Sequence, residues 1–541
     1  MRTPGFVPVA LVLLISLVAQ EPHDHAGGGQ REKLGTVHFA TSCSAAAQGS
    51  FDRAVALLHS FEFGPAIEGF DATLAIDPSC GITQWGVALA RWGNPFGVGT
   101  RPAAQLALGQ QAIDKARAAG LKTDRERAYV DAASQLYLGG AARPQAARVA
   151  AYRDAMERVS AAFTDDMEAS IFFALSLTAA EDLNDKTYAG RTRAIAILEP
   201  LFAAHPDHPG LAHYIIHSDD VPALAPQALD AARRYASIAP SAPHALHMPS
   251  HIFTRVGLWQ ESITTNLASV EASRREHTPG EEVHASDYLM YAYLQTAQDA
   301  KAKAVLDGLA DIRRRLAGGV ASAAPPSAGA FAFAAIPARF ALERGAWREA
   351  AALEPHPTDV PYADALTYFA RAIGAARAGD GPAARAAIAE LATLHEREDQ
   401  LGEAYWTDQI GLERRSAEAW LAFVEGREDE AIARERAAAD GEDRTEKAAV
   451  TPGPLAPARE LLAEMLLQRH RPADALKEFE TVLAKEPNRF RTIAGAMDAA
   501  SQANDGAKAR QFAGSLIRIC ATPDGPPRPE LARARALAIA R

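Results

Sequence analysis

The sequence predicts an all-α chain, a solenoid of antiparallel helix pairs stacked side by side, and three observations carry that expectation. Ala, Leu, Arg and Glu recur throughout with few β-branched runs, and no apolar/polar alternation extends beyond a few residues, so helix is favoured and strand is not. A small residue, a bulky apolar residue four on and a Pro eight further recur along the chain, as expected of a helix that ends before a Pro. Finally, His213 and His217 form an i, i+4 pair, and His247 and His251 repeat it 34 residues later.

In chain order, Met1–Arg2 and the apolar run Phe6 to Ala19 read as a secretory signal peptide over residues 1–20. The run is short for a membrane span. The small-residue rule for cleavage is met loosely, so an uncleaved signal anchor is the alternative and the one route to a membrane. A flexible leader at 21–31 follows, rich in His and Gly, where His23 and His25 form an HxH. The expected compartment is periplasmic or secreted. A net charge of −11 argues against a nucleic-acid partner, which needs a basic surface.

Cys43 and Cys80 fall near the N-terminal ends of two expected neighbouring helices. A disulfide between them, two unpaired core thiols and a Cys/His metal site all fit, the last least well because CxxC spacing is absent.

The signature is met by Ala66, Phe70 and Pro78 and by Ala475, Phe479 and Pro487. Ala194, Leu198 and Pro206 keep it with Leu as the apolar residue, and Ala228, Ala232 and Pro240 with a small one. Helical pairs without the Pro are readable at Ala365–Leu394 and Ala417–Ala439, with Gly379–Pro382 as an inter-helix turn. Composition divides the chain into an N-terminal array at 32–316 holding the histidines, a linker at 317–329 and a C-terminal array at 330–541. Residues 441–457 read as a second loop. The Pro-rich stretch from Ala521 to Pro529 is expected to fray, with a capping helix after it.

With this spacing and period the chain resembles the tetratricopeptide-repeat (TPR) family, whose unit is 34 residues. Within that family it resembles a group of exported bacterial members that carry the blocks KLGTVHFATSC, HYIIHSDD and HALHMPSHIF. The resemblance implies a concave groove lined by the first helix of each unit, and protein or peptide ligands. Aligned with the family's unit, His213, His217, His244, His247 and His251 would face the groove. So would His59, Trp85 and Trp92, with His284 close enough to reach it. Pro249 departs from the pattern, since it should kink the helix that carries His251.

The histidines point to metal. Neutral imidazole suits zinc, copper or nickel, and an i, i+4 pair shares one helix face. The expected site is one divalent ion, zinc or copper, on His213, His217, His247 and His251, with His244 nearby. Asp219 and Asp220 would complete the shell or orient a ring. Hydrogen bonding across packed helices is the plainer role for the same residues. No HExxH is present, Ser218 and Ser250 lie outside any GxSxG, and Gly93–Gly99 follows a helix and opens no P-loop, so no cofactor-binding cradle is expected. The expectation is therefore an exported scaffold that binds a protein or peptide and carries a histidine metal site. The alternative is a metal-dependent hydrolase or oxidoreductase built on the same repeats, with no catalytic residue assignable.

Overall fold

The computed structural model describes residues 32–97, 99–316 and 326–539. The expected signal peptide, the leader with His23 and His25, and residues 317–325 lie outside them. Among the described residues the regular structure is helical, apart from an isolated parallel bridge between Gln298 and Asp524. No helix there is long and apolar enough to cross a membrane.

The repeat signatures fall in the second helix of a pair, save that Ala228 lies in the 3-10 turn just ahead of its helix. Ala45–His59 packs on Phe63–Ile76, where Ala66 and Phe70 are fully buried and the helix stops short of Pro78. Ala458–Gln468 packs in the same way on Pro472–Lys485, with Ala475 and Phe479 buried. The small residue admits the neighbouring helix and the bulky one fills the space between units. A close approach completes the device. A Cβ on Gly86 would lie 2.1 Å from Cζ of Phe70, and one on Gly495 would lie 2.3 Å from Cζ of Phe479, so each ring is seated against a glycine of the next unit. Ala194 and Leu198 occupy the same places in Ala189–Ala204, and Ala232 in Leu229–Ile238. The pairs without the Pro are Pro361–Ala378 with Gly381–Gln400, and Ala404–Val424 with Glu428–Glu442. Gly379 turns the first of these with φ of 83°, and Asp380 caps its second helix by accepting the Ala383 N–H.

The histidines lie on Pro209–Asp219, on Pro243–His247 and Pro249–Arg255, and on Pro279–Gln295. Pro249 has no N–H to donate, so helical assignment breaks at Met248, yet the backbone there stays right-handed helical (φ −53°, ψ −36°). His251 therefore continues the face begun by His247.

Residues Lys33–Arg541 form one compact unit, because the C-terminal helices pack back onto the histidine-bearing ones. Trp259 Nε1 donates to the Asn488 carbonyl at 2.7 Å, and Tyr288 Oη to those of Ala449 and Thr451 at 3.1 and 3.0 Å. The loop expected at 441–457 thus runs across the histidines, and helix Pro326–Glu343 begins inside the stretch expected as linker. The stretch expected to fray is tied down. Asp524 N donates to the Ala297 carbonyl at 3.1 Å, its Oδ1 accepts from Ala300 N at 2.7 Å, and Arg528 pairs with Asp299 at 2.5 Å. The capping helix follows at Pro529–Ile539.

Cys43 and Cys80 are disulfide-bonded with a Cα–Cα separation of 4.9 Å, just ahead of helices Ala45–His59 and Thr83–Trp92. Replacing both with Ser should lower the free energy of unfolding by about 2–4 kcal/mol in a denaturant titration, and reductant should then have no further effect. Gly86→Ala should destabilise by about 1–3 kcal/mol in the same assay, since a rigid ring and not a flexible chain end meets the new methyl.

Candidate metal centre

Eight histidines and one glutamate form three buried groups able to hold a metal ion: His213/His217/His244, His247/His251/His284 and His59/Glu168/His208. Within each, one ligand atom per residue lies within 4.8 Å of the others. The two i, i+4 pairs thus fall in different groups. His244 completes the first, and His284, expected only near the edge of the site, completes the second. The groups abut, with ring centroids of His217 and His251 5.8 Å apart and those of His244 and His247 6.1 Å apart.

The hydrogen bonds of four rings decide which nitrogen each of them offers. His213 Nδ1 donates to the His59 carbonyl at 2.6 Å, leaving Nε2 with no partner. His244 Nδ1 lies 3.2 Å from Glu281 Oε2, again with Nε2 unpartnered, as is Nε2 of His217. His251 Nδ1 donates to Asp220 Oδ2 at 2.9 Å. His247 Nδ1 donates to Asn266 Oδ1 at 2.8 Å, and the amide orientation follows because Nδ2 of Asn266 donates to the Ser262 carbonyl at 2.7 Å. A neutral imidazole has one N–H, so Nε2 of His247 and Nε2 of His251 face each other as lone pairs at 3.2 Å. Two imidazoles bound to one tetrahedral ion at about 2.0–2.1 Å would place their nitrogens roughly 3.3 Å apart. A carboxylate or carbonyl behind each ring is the usual outer partner of a metal-bound histidine.

Five of the rings are held neutral. Burial drives His213, His217 and His247 well below the ordinary histidine value, and neighbouring imidazoles add to the effect. Burial brings His251 down to about 4, despite Asp220, and His284 to about 3.

Aromatic side chains wall the first group. Phe61 lies 4.4, 5.7 and 5.6 Å from the rings of His213, His217 and His244, at a left-handed backbone position (φ 57°), and Phe96 stacks on His217 at 4.0 Å. A cavity of about 40 Å³ lies between the groups. His217 and His244 of the first group and His251 and His284 of the second all border it, with Met248, Phe96, Tyr362, Trp406 and Ala448–Val450 among the rest of the wall. Among the described residues no carboxylate lines it.

The expected concave exposure is not what the structure has. All six histidines are buried, and residues 448–450, Tyr362 and Trp406 close the space in front of His217, His244, His251 and His284. His59, Trp85 and Trp92 are buried too, Trp85 against Phe39, Tyr129 and Phe172, and Trp92 against Tyr137. Asp220 orients His251 and bonds Arg255 at 2.8 Å and Lys447 at 2.9 Å. Burial would raise its carboxyl, but those two cations hold it well below the usual range. Asp219 stands outside the groups, and burial raises it to about 7. Ser218 bonds Thr178 at 2.8 Å, and Ser250 lies 3.5 Å from His247 Nδ1, the nitrogen that faces Asn266.

The third group is accounted for by hydrogen bonds. His59 Nε2 and His208 Nε2 reach different oxygens of Glu168, at 2.9 and 3.0 Å, and Tyr214 Oη bonds His59 Nδ1. Burial alone would raise the Glu168 carboxyl, but the two imidazoles hold it well below the ordinary range.

Sequence reasoning missed Phe61, Phe96, Asn266 and Glu281. One signal was present for Asn266: Ser262, Asn266, Ser269 and Ser273 form a polar helical stripe, and all four are buried.

Fold and groups together define the class: an all-α, TPR-like helical-repeat protein with buried histidine groups able to hold metal ions. No protein-family profile matches the chain, and no curated protein does. Solved structures similar to it include yeast Tom70, at 10% identity over 91% of this chain and 96% of the other with a TM-score of 0.33. The TPR domain of P58(IPK) matches at 14% over 69% and 98% with a TM-score of 0.22, and a monomeric IFIT1 mutant with Gppp-AAAA at 9% over 88% and 96% with 0.35. Such identities and TM-scores are too low to transfer a function, and the repeat assignment stands on the helix pairs and signatures of the chain itself.

Asp220→Ala should destabilise by about 3–5 kcal/mol in denaturant unfolding, because it removes the carboxylate that joins buried Lys447 of the covering loop to buried Arg255, leaving Arg255 the longer ion pair with Glu446 at 3.7 Å. A loss under 1 kcal/mol would mean that this ion pair does not hold the loop.

Proposed function

We propose that this chain is an exported metalloprotein whose helical-repeat scaffold holds transition-metal ions on buried imidazoles. The observation that carries the reading is the pair of Nε2 lone pairs of His247 and His251 facing each other at 3.2 Å, each fixed by an acceptor behind its own Nδ1. Two lone pairs so placed repel unless a cation lies between them. Zinc and copper both suit the ligand set. Asp220 and Glu281 act behind the rings and not as ligands.

Export is supported by the apolar N-terminal run and by the Cys43–Cys80 disulfide, a bond that persists in oxidising compartments. A helical-repeat scaffold also fits a protein-binding role. Any partner would dock on the outer surface, since the chain's own residues cover the histidines. The open coordination positions beside a cavity fit a catalytic metal as well as a structural one.

The test is metal analysis of untagged protein together with calorimetric titration of the apo form with zinc and copper. Binding should weaken by at least two orders of magnitude in His247→Ala/His251→Ala, and Asp220→Asn should weaken it roughly 10–100-fold through the ring it orients. Binding left in the double variant belongs to the His213/His217/His244 group, and an undiminished total would move the metal away from both groups, with His23 and His25 the next place to look.

A further inference from the structure

Resting on that reading, we infer that the two histidine trios form one dinuclear copper centre, and that the cavity between them takes dioxygen as a bridging ligand. Three observations lead there. The ligand count is three and three, with rings of opposite trios adjacent and two histidines of each trio bordering the same cavity. The open positions of the two ions would therefore meet in one space.

The ligand set is also wholly neutral. Every ligand of the two trios is an imidazole, no thiolate joins them among the described residues, and Asp220 is already paired with Arg255 and Lys447. Two zinc ions would bring four positive charges into an interior walled by Phe61, Phe96 and Trp406, with no anion among their ligands, and burying unpaired charge is costly. Two cuprous ions bring half that charge, and three imidazoles satisfy each of them. Soft Met248 on the cavity wall fits the same ion.

The cavity sets the size of the guest. About 40 Å³ is room for a ligand of a few atoms. Dioxygen needs no proton to bind. Each Cu(I) gives up one electron, the O–O π system accepts both, and the product is two Cu(II) bridged by peroxide. Both Cu–O contacts form in that step while the O–O bond is kept, and release of dioxygen returns the electrons.

The experiment loads apo full-length protein with Cu(I) under anaerobic conditions, counts copper per chain, then admits dioxygen and follows absorption and electron paramagnetic resonance. Two coppers per chain, a charge-transfer band that appears with dioxygen and fades on degassing, and no paramagnetic signal from the coupled pair are expected. His244→Ala and His284→Ala, one from each trio, should each bind one copper and lose the band, while His205→Ala, at an exposed position, should keep both. Either trio variant that melts far below the parent is replaced by its Gln counterpart. Two coppers with no dioxygen-dependent band, one copper per chain in the parent, or the signal of two isolated cupric ions overturns the inference and leaves the metal reading standing. Failure to bind any metal overturns both.

Discussion

An imidazole withdrawn from water has to be neutral, and it must still find something for two ring nitrogens to do. Six such rings are packed together here, and that requirement organises the residues around them. Each Nδ1 with an assigned partner faces an oxygen supplied by a different part of the chain: the His59 carbonyl, Asp220, Asn266 and Glu281. With those nitrogens committed, the Nε2 atoms of His247 and His251 face each other as lone pairs, and those of His213 and His244 are left without a partner. Neutrality follows from burial, and ligand character follows from neutrality and the outer acceptors together.

The same requirement explains why the molecule is closed over this face. A TPR-like stack would leave the first-helix side chains on a concave surface, where water would solvate the imidazoles and no ring would need a fixed tautomer. Here residues 448–450, Tyr362 and Trp406 occupy that space, and Lys447 reaches down to Asp220. The loop carries a cation that burial lowers to about 8 and seats it on the carboxylate that orients His251. Closure and ligand orientation thus share one buried ion pair, which couples the C-terminal helices to the site even though they contribute none of its histidines.

Much of this was legible in local sequence. The Ala–Phe–Pro spacing located the second helices because a Pro cannot continue a helix and a ring needs a small neighbour to pack against. The spacing of His213 with His217, and of His247 with His251, put each pair on one face because a helix returns to the same side every three to four residues. The cysteines were recognisable as neighbours on the assumption that successive units stack in parallel. By contrast, no local pattern said that Phe61 would hold a left-handed backbone amid three imidazoles, or that the Pro-rich stretch before Pro529 would be pinned by Asp299 and Ala297.

What the sequence by itself determined is therefore the helices, their pairing and the faces on which the histidines lie, all consequences of periodicities a few residues long. What only the tertiary structure decided is which rings share a group. His244 joins His213 and His217, and His284 joins His247 and His251, although the repeat period alone would have joined the two i, i+4 pairs. The physical reason is that a 34-residue period fixes an equivalent address in each unit, while the small rotation between units, and the loop that closes over them, set the distances between addresses. Those distances arise from packing over the whole array and leave no trace in the spacing of any one stretch.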